Sequence, residues 1–157
     1  MADAFIQAVI DNDCDTVRTE LAKGRDPNLP DRYGWIALHR AAANNSAAVA
    51  RLLLDAGSSI TATGTDDWRP LHLAAVSGSS SMVKVLVEAG APIDAVSYCG
   101  DTPLHLCFGV LSARILLEAG ADPDQLNHKG LSPSAMAEKY GYHEVAEFIR
   151  GWSERPK

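Results

Sequence analysis

The chain has 157 residues and a formal net charge of −6, with 46% hydrophobic and 22% charged residues, which suits one folded domain with its own core. The acidic balance and the lack of Lys/Arg runs disfavour nucleic acid as a partner, no uncharged stretch approaches a membrane span, and Met1-Ala2-Asp3-Ala4-Phe5 lacks the basic start of a signal peptide. Cys14, Cys99 and Cys107 show no CxxC spacing, so reduced thiols in the cytoplasm, or in the nucleus, are expected.

Taken from the N-terminus, residues 3–28 carry two short helical patterns with no preceding turn, which makes them an N-terminal capping unit. Asp15 is expected to cap the second of these, Thr16-Val17-Arg18-Thr19-Glu20-Leu21. Fuller units follow at residues 31–63 and 64–96, then a shortened one at 97–126. Polar turns such as Asp31-Arg32-Tyr33-Gly34 and Ser97-Tyr98-Cys99-Gly100 precede their first helices. Those helices carry Ile36-Ala37-Leu38-His39-Arg40-Ala41-Ala42, Arg69-Pro70-Leu71-His72-Leu73-Ala74-Ala75 and Thr102-Pro103-Leu104-His105-Leu106-Cys107-Phe108. Proline in the first turn costs no hydrogen bond and presets φ, and small alanines let neighbouring helices approach closely. The second helices end on Leu52-Leu53-Leu54-Asp55-Ala56-Gly57, Val85-Leu86-Val87-Glu88-Ala89-Gly90 and Ile115-Leu116-Leu117-Glu118-Ala119-Gly120, each glycine supplying a left-handed cap. Residues 127–152 form a C-terminal capping unit with a decayed first motif, Ser132-Pro133-Ser134-Ala135-Met136-Ala137, and residues 153–157 read as a loose tail. Modified units at both ends, together with Met1, lead us to expect a complete, single-domain protein over residues 1–157.

His39, His72 and His105 recur every 33 residues, and Gly24, Gly57 and Gly90 keep the same spacing. These motifs resemble the ankyrin repeat family, whose hallmark is T-P-L-H-x-A on a period of this length. The resemblance runs from about Asp3 to Trp152. It implies an all-α solenoid of stacked helix–loop–helix units with projecting β-turn or hairpin tips, in which no unit buries its apolar face alone. It also implies a non-catalytic role in binding another protein, as adaptor, scaffold or inhibitor.

The third fuller unit is short. From His72 to Gly90 is 18 residues, but from His105 to Gly120 only 15. The flanking motifs are intact, so the loss is placed between the two helices, at Phe108-Gly109-Val110-Leu111, with a first helix about one turn shorter. A shortened inner helix also occurs in the ankyrin-type inhibitors of cyclin-dependent kinases, there in the second repeat, so kinase inhibition is an alternative. An enzyme or a self-associating structural protein are further alternatives, and a monomer is expected.

No catalytic, cofactor or metal site is expected. Histidines on successive stacked helices stand about 8–10 Å apart, too far to share a zinc ion; they read as ties between turns. Asp11, Asp13 and Asp15 imitate a calcium loop, but Thr16 and Ala22 stand where glycine and glutamate are required. Cys107 takes the inward alanine position of the motif and reads as inert packing.

In the resembled family the turn tips and the exposed side of the first helices form the binding face. That pattern assigns Arg32, Tyr33 and Trp35 to the first tip, Asp66 and Trp68 to the second, and Tyr98 and Asp101 to the third, with Arg40, Asn44 and Ser77 on the adjoining helices. Large rings at solvated turns contribute little to folding, yet Trp, Tyr and Arg dominate interface hot spots. The competing reading is that Trp35 and Trp68 fold onto neighbouring tips and stiffen them. Asp67 stands where the turn glycine is usual, so the second tip is expected to take a different turn.

Overall fold

Seven-residue helices alternate with nine-residue helices along most of the chain. The computed structural model describes residues 3–155. In order, the helices are α1 (Ala4–Ile10), α2 (Cys14–Ala22), α3 (Ala37–Ala43), α4 (Ala47–Asp55), α5 (Pro70–Val76), α6 (Ser80–Glu88), α7 (Val110–Glu118), α8 (Pro133–Lys139) and α9 (His143–Ser153). Two 3₁₀ segments, Thr65–Asp67 and Pro103–Leu106, complete the order. Among the described residues there is no β-strand, and no helix is long and apolar enough to cross a membrane. Met1, Ala2, Pro156 and Lys157 lie outside the described residues. Ser153, expected in a loose tail, instead closes the last turn of α9.

The helices form two rows. The inner row runs α1, α3, α5, the Pro103–Leu106 turn and α8; the outer row runs α2, α4, α6, α7 and α9. Helices this short do not persist alone in water, so packing holds them. Leu38, Leu71 and Leu104 recur on the inner row and Leu53, Leu86 and Leu116 on the outer, all buried, with Ala41, Ala42, Ala74 and Ala75 buried where the inner helices meet. Gly90, at φ 85°, ends α6: its N–H donates to the Val87 carbonyl (3.0 Å), and that of Ala91 donates to Leu86 (3.0 Å). That paired arrangement satisfies carbonyls the helix itself leaves open.

Two local expectations are corrected. Asp13, not Asp15, caps α2: its Oδ1 accepts from the amides of Asp15 (3.2 Å) and Thr16 (3.1 Å). The Thr16 hydroxyl and then its amide hold the Asp13 carboxyl below its ordinary range. Asp15 sits inside the first turn and pairs with Arg18 at 3.2 Å. In the shortened unit, Val110 and Leu111 belong to α7, which keeps nine residues. The first helix is shorter as expected, reduced to the four-residue turn Pro103–Leu106 and an extended Cys107, and it bears the whole loss. Phe108 fills the place of the missing turn, stacking on Tyr142 of the next unit with centroids 4.3 Å apart.

Each repeat histidine is wholly buried and joins two units. In the first, His39 Nδ1 accepts from the Ile36 amide (3.2 Å) and Nε2 faces the Trp68 carbonyl (3.1 Å). His72 accepts from the Arg69 amide (3.1 Å) and reaches the carbonyls of Ala95 (3.0 Å) and Asp101 (3.1 Å). His105 accepts from the Thr102 amide (3.1 Å) and reaches Leu131 (3.0 Å). An acceptor at Nδ1 and a donor at Nε2 define one neutral tautomer, and neither nitrogen is left for a metal. The last unit has no such histidine: the Ser132 hydroxyl accepts from the Ala135 amide at 3.3 Å, a cap within its own helix.

Burial pushes all three imidazoles below their ordinary value of 6.5, outweighing the carbonyls that favour the charged form. A depressed folded-state pKa means stability is complete above about 6.5 and is lost as pH falls below it, because the unfolded chain takes up protons first. Each histidine contributes up to about 1.4 kcal/mol per pH unit in that range. Thermal unfolding is expected to show a falling midpoint between pH 7.5 and pH 5.5; a constant midpoint would contradict it. His72→Ala, which orphans a buried amide and two carbonyls, is expected to cost about 3 kcal/mol at pH 7.5, read by denaturant titration.

Candidate protein-binding face

The turn tips are five-residue loops closed across their base. The amide of the first residue donates to the carbonyl of the fifth in each: Asp31 to Trp35 (2.9 Å), Gly64 to Trp68 (2.8 Å), Ser97 to Asp101 (3.0 Å) and Asn127 to Leu131 (3.0 Å). A polar side chain at the first position stiffens the loop. Asp31 Oδ1 accepts from the amides of Tyr33 (2.8 Å) and Trp35 (3.0 Å), and Asn127 Oδ1 from Lys129 and Leu131 (both 3.0 Å). Successive tips are joined by Thr65 Oγ1 donating to Tyr33 O (2.8 Å), Tyr98 N to Asp66 O (2.9 Å) and His128 N to Cys99 O (3.0 Å).

The second tip departs from this plan. Gly64 stands where the others carry a polar side chain, and a Cβ there would collide with the Trp35 ring. The chain turns through Asp66 and Asp67, both left-handed at φ 57° and 58°, where the other tips have a single left-handed glycine. Asp67 keeps the left-handed conformation that Gly34, Gly100 and Gly130 take at its place in the other tips, so the expected difference in turn lies one residue earlier, at Asp66.

Between the first two tips lies an open cleft of about 440 Å³ lined by Tyr33, Trp35, Arg40, Thr65, Asp66, Trp68 and Leu73. Trp35 is half-buried, stacks on His39 with centroids 6.0 Å apart, and carries the Arg40 guanidinium 4.6 Å over its ring. Arg40 is ion-paired with Asp31, Nε to Oδ2 3.2 Å. Burial raises the Asp31 carboxyl, but the Arg40 guanidinium and the Tyr33 and Trp35 amides outweigh it and hold the carboxyl below its ordinary range. Trp68 leans on His72 at 6.2 Å. Both tryptophans thus pack on the histidine ties while one side of each lines the cleft.

Five of the ten face residues named from sequence meet at this cleft: Tyr33, Trp35, Arg40, Asp66 and Trp68. Arg32 lies outside it, 4.8 Å over the Tyr33 ring. Tyr98 projects from the third tip, 71% exposed. Asp101 is otherwise engaged: its carboxylate accepts from Asn127 Nδ2 (2.7 Å) and its carbonyl faces His72. Asn44 and Ser77 are exposed but do not line the cleft; their side chains bond back to Arg40 O (2.9 Å) and Ala74 O (3.0 Å). Leu73 was missed, although it stands 33 residues after Arg40 and the repeat register alone would have placed it. Cys107 is buried, which pushes its thiol up to about 12 and away from nucleophilic chemistry.

The family described as ankyrin repeats (3 copies) matches residues 5–97, and the single ankyrin repeat matches residues 99–128. The potassium channel KOR1 of Oryza sativa subsp. japonica is 48% identical over 56 residues, 36% of this chain. The matched stretch is 6% of that channel's length.

Two consecutive aspartates in the left-handed region carry a strain that glycine does not. Asp67→Gly is expected to raise unfolding stability by about 1 kcal/mol in a urea titration. An unchanged or lower stability would show that the second tip is unstrained.

Proposed function

The chain belongs to the ankyrin repeat family, a family of protein–protein interaction modules, and we propose that it holds a protein partner, without catalysing a reaction, on the cleft between its first two tips and on the third tip beside it. The cleft carries this reading: an opening of about 440 Å³ between Tyr33, Trp35 and Trp68, large enough for a partner's side chain. Tyr33 and Tyr98, 50% and 71% exposed, add rings whose burial on a partner favours binding, as does Arg32. Asn44 and Ser77 extend the face along α3 and α5. Asp101 contributes through the shape of its tip, since its carboxylate is engaged.

The likeness to the potassium channel carries no channel activity over to this chain, because it covers so little of that protein. Free thiols at Cys14, Cys99 and Cys107 support a reducing compartment, cytoplasm or nucleus, and we read the chain as a monomer there. The reduced inner element at Pro103–Leu106 favours the second reading, inhibition of a protein kinase; its place in the third fuller unit, not in the second repeat, speaks against it.

The test is identification of the partner by cross-linking from a photoreactive residue at Thr65, followed by titration of the purified pair. Tyr33→Ala and Trp68→Ala are each expected to weaken binding about 30-fold or more with unchanged helical circular dichroism. Trp35→Ala is a poorer probe, because that ring also supports the second tip. Affinities within about twofold of the parent for both variants would remove the face from this position.

A further inference from the structure

The first two tips are unequal copies of one arrangement. In the first, an indole (Trp35), a guanidinium lying over it at 4.6 Å (Arg40) and the carboxylate that neutralises the guanidinium (Asp31) form a closed set. In the 33-residue register the same three places in the second unit hold Trp68, Leu73 and Gly64. The indole is kept and the cation is gone. Carboxylates are present, but moved along the loop to Asp66 and Asp67, both exposed. Among the described residues, no ion pair uses Asp66 or Asp67 and no Lys or Arg lies over Trp68. Leucine is shorter than arginine, and the space beside it is part of the cleft.

We infer that Trp68, Leu73 and Asp66 receive an arginine side chain from a basic segment of the partner protein, completing in the second unit the set that Arg40 completes in the first. This inference rests on the docking face proposed above and names what enters it. The guanidinium lies on the Trp68 ring with Asp66, and Asp67 behind it, as counter-charge, and the aliphatic stem covers Leu73. A planar guanidinium stacks on an indole and is more weakly hydrated than an ammonium, which favours arginine over lysine.

Other occupants are disfavoured on the same observations. An apolar side chain would fit the walls but would cover the Asp66 carboxylate without a partner, which is costly. An acidic segment meets Asp66, Asp67 and a chain of net charge −6, while Arg40 is already tied to Asp31. A basic segment gains from all of these, and the gain weakens as salt screens it.

The test uses the intact chain labelled with ¹⁵N and three hexapeptides: alternating serine and arginine, serine and citrulline, and serine and leucine. The indole N–H signal of Trp68 is assigned with Trp68→Phe and followed during titration. The arginine peptide is expected to shift it saturably, and to shift that of Trp35, already covered by Arg40, much less. Binding is expected to weaken at least about fivefold in the Asp66→Asn/Asp67→Asn variant, which alters only exposed side chains, and on raising the salt. The citrulline peptide, matched in shape but uncharged, is expected to bind at least about fivefold more weakly than the arginine peptide. No saturable shift with the arginine peptide, equal binding of the citrulline peptide, or preference for the leucine peptide each overturns the inference. If the peptide fails while Trp68→Ala still abolishes partner binding, the cation receptor falls and the docking face stands; indifference of the partner to Trp68→Ala removes the face itself.

Discussion

A neutral imidazole, sealed from water at His39, His72 and His105, couples each unit to the next through two backbone contacts at once. One ring nitrogen takes the amide at the start of its own inner helix; the other reaches a carbonyl in the following tip. The inner helices of the full units have seven residues, too few to persist alone, so they depend on neighbours that the histidines align. The stack is for this reason quasi-one-dimensional: a unit is stable because the units beside it are. The tips inherit that order, since Trp68 offers its carbonyl to His39 while its ring leans on His72. The cleft is thus assembled on the same ties that assemble the fold.

Departures from the repeat, more than the repeat itself, give this chain its particular surface. A large ring at Trp35 leaves room for nothing beyond glycine at position 64. Glycine there lacks the side chain that holds the other tips, and the loop adds a second left-handed residue, Asp66, before the usual one at Asp67. Those two carboxylates reach the surface beside Trp68 without an intramolecular cation among the described residues.

The shortened third unit shows how a solenoid absorbs a deletion. The outer helix keeps its full length because Leu116 and Ala113 must meet the neighbouring outer helices. The inner element gives way, and Phe108 and Tyr142 stack across the gap. His105 still bridges from a four-residue turn, so the tie outlasts the helix that carries it in the other units. At the far end Ala135 stands where the earlier units hold a histidine, and its amide donates to Ser132, which caps its own helix.

From sequence alone the fold family, the inner and outer helices and the bridging histidines were all legible, because each is written in contacts whose partners recur at a constant spacing. Five of the seven residues that line the cleft were legible for the same reason: the family pattern, read in this register, places Tyr33, Trp35, Asp66 and Trp68 on neighbouring tips and Arg40 on the adjoining helix. What only the tertiary structure decided involves partners outside any local pattern. Asp13 and not Asp15 caps α2 because the helix begins two residues earlier, directly after the left-handed turn at Asn12 with φ 56°. Asp101 faces Asn127 and Asn44 turns back to Arg40, choices set by which groups lie within reach after folding. Leu73 enters the cleft because a shorter side chain stands where Arg40 stands one unit earlier. A period in the sequence states which positions are equivalent; only packing decides what each copy, with its own side chains, does there.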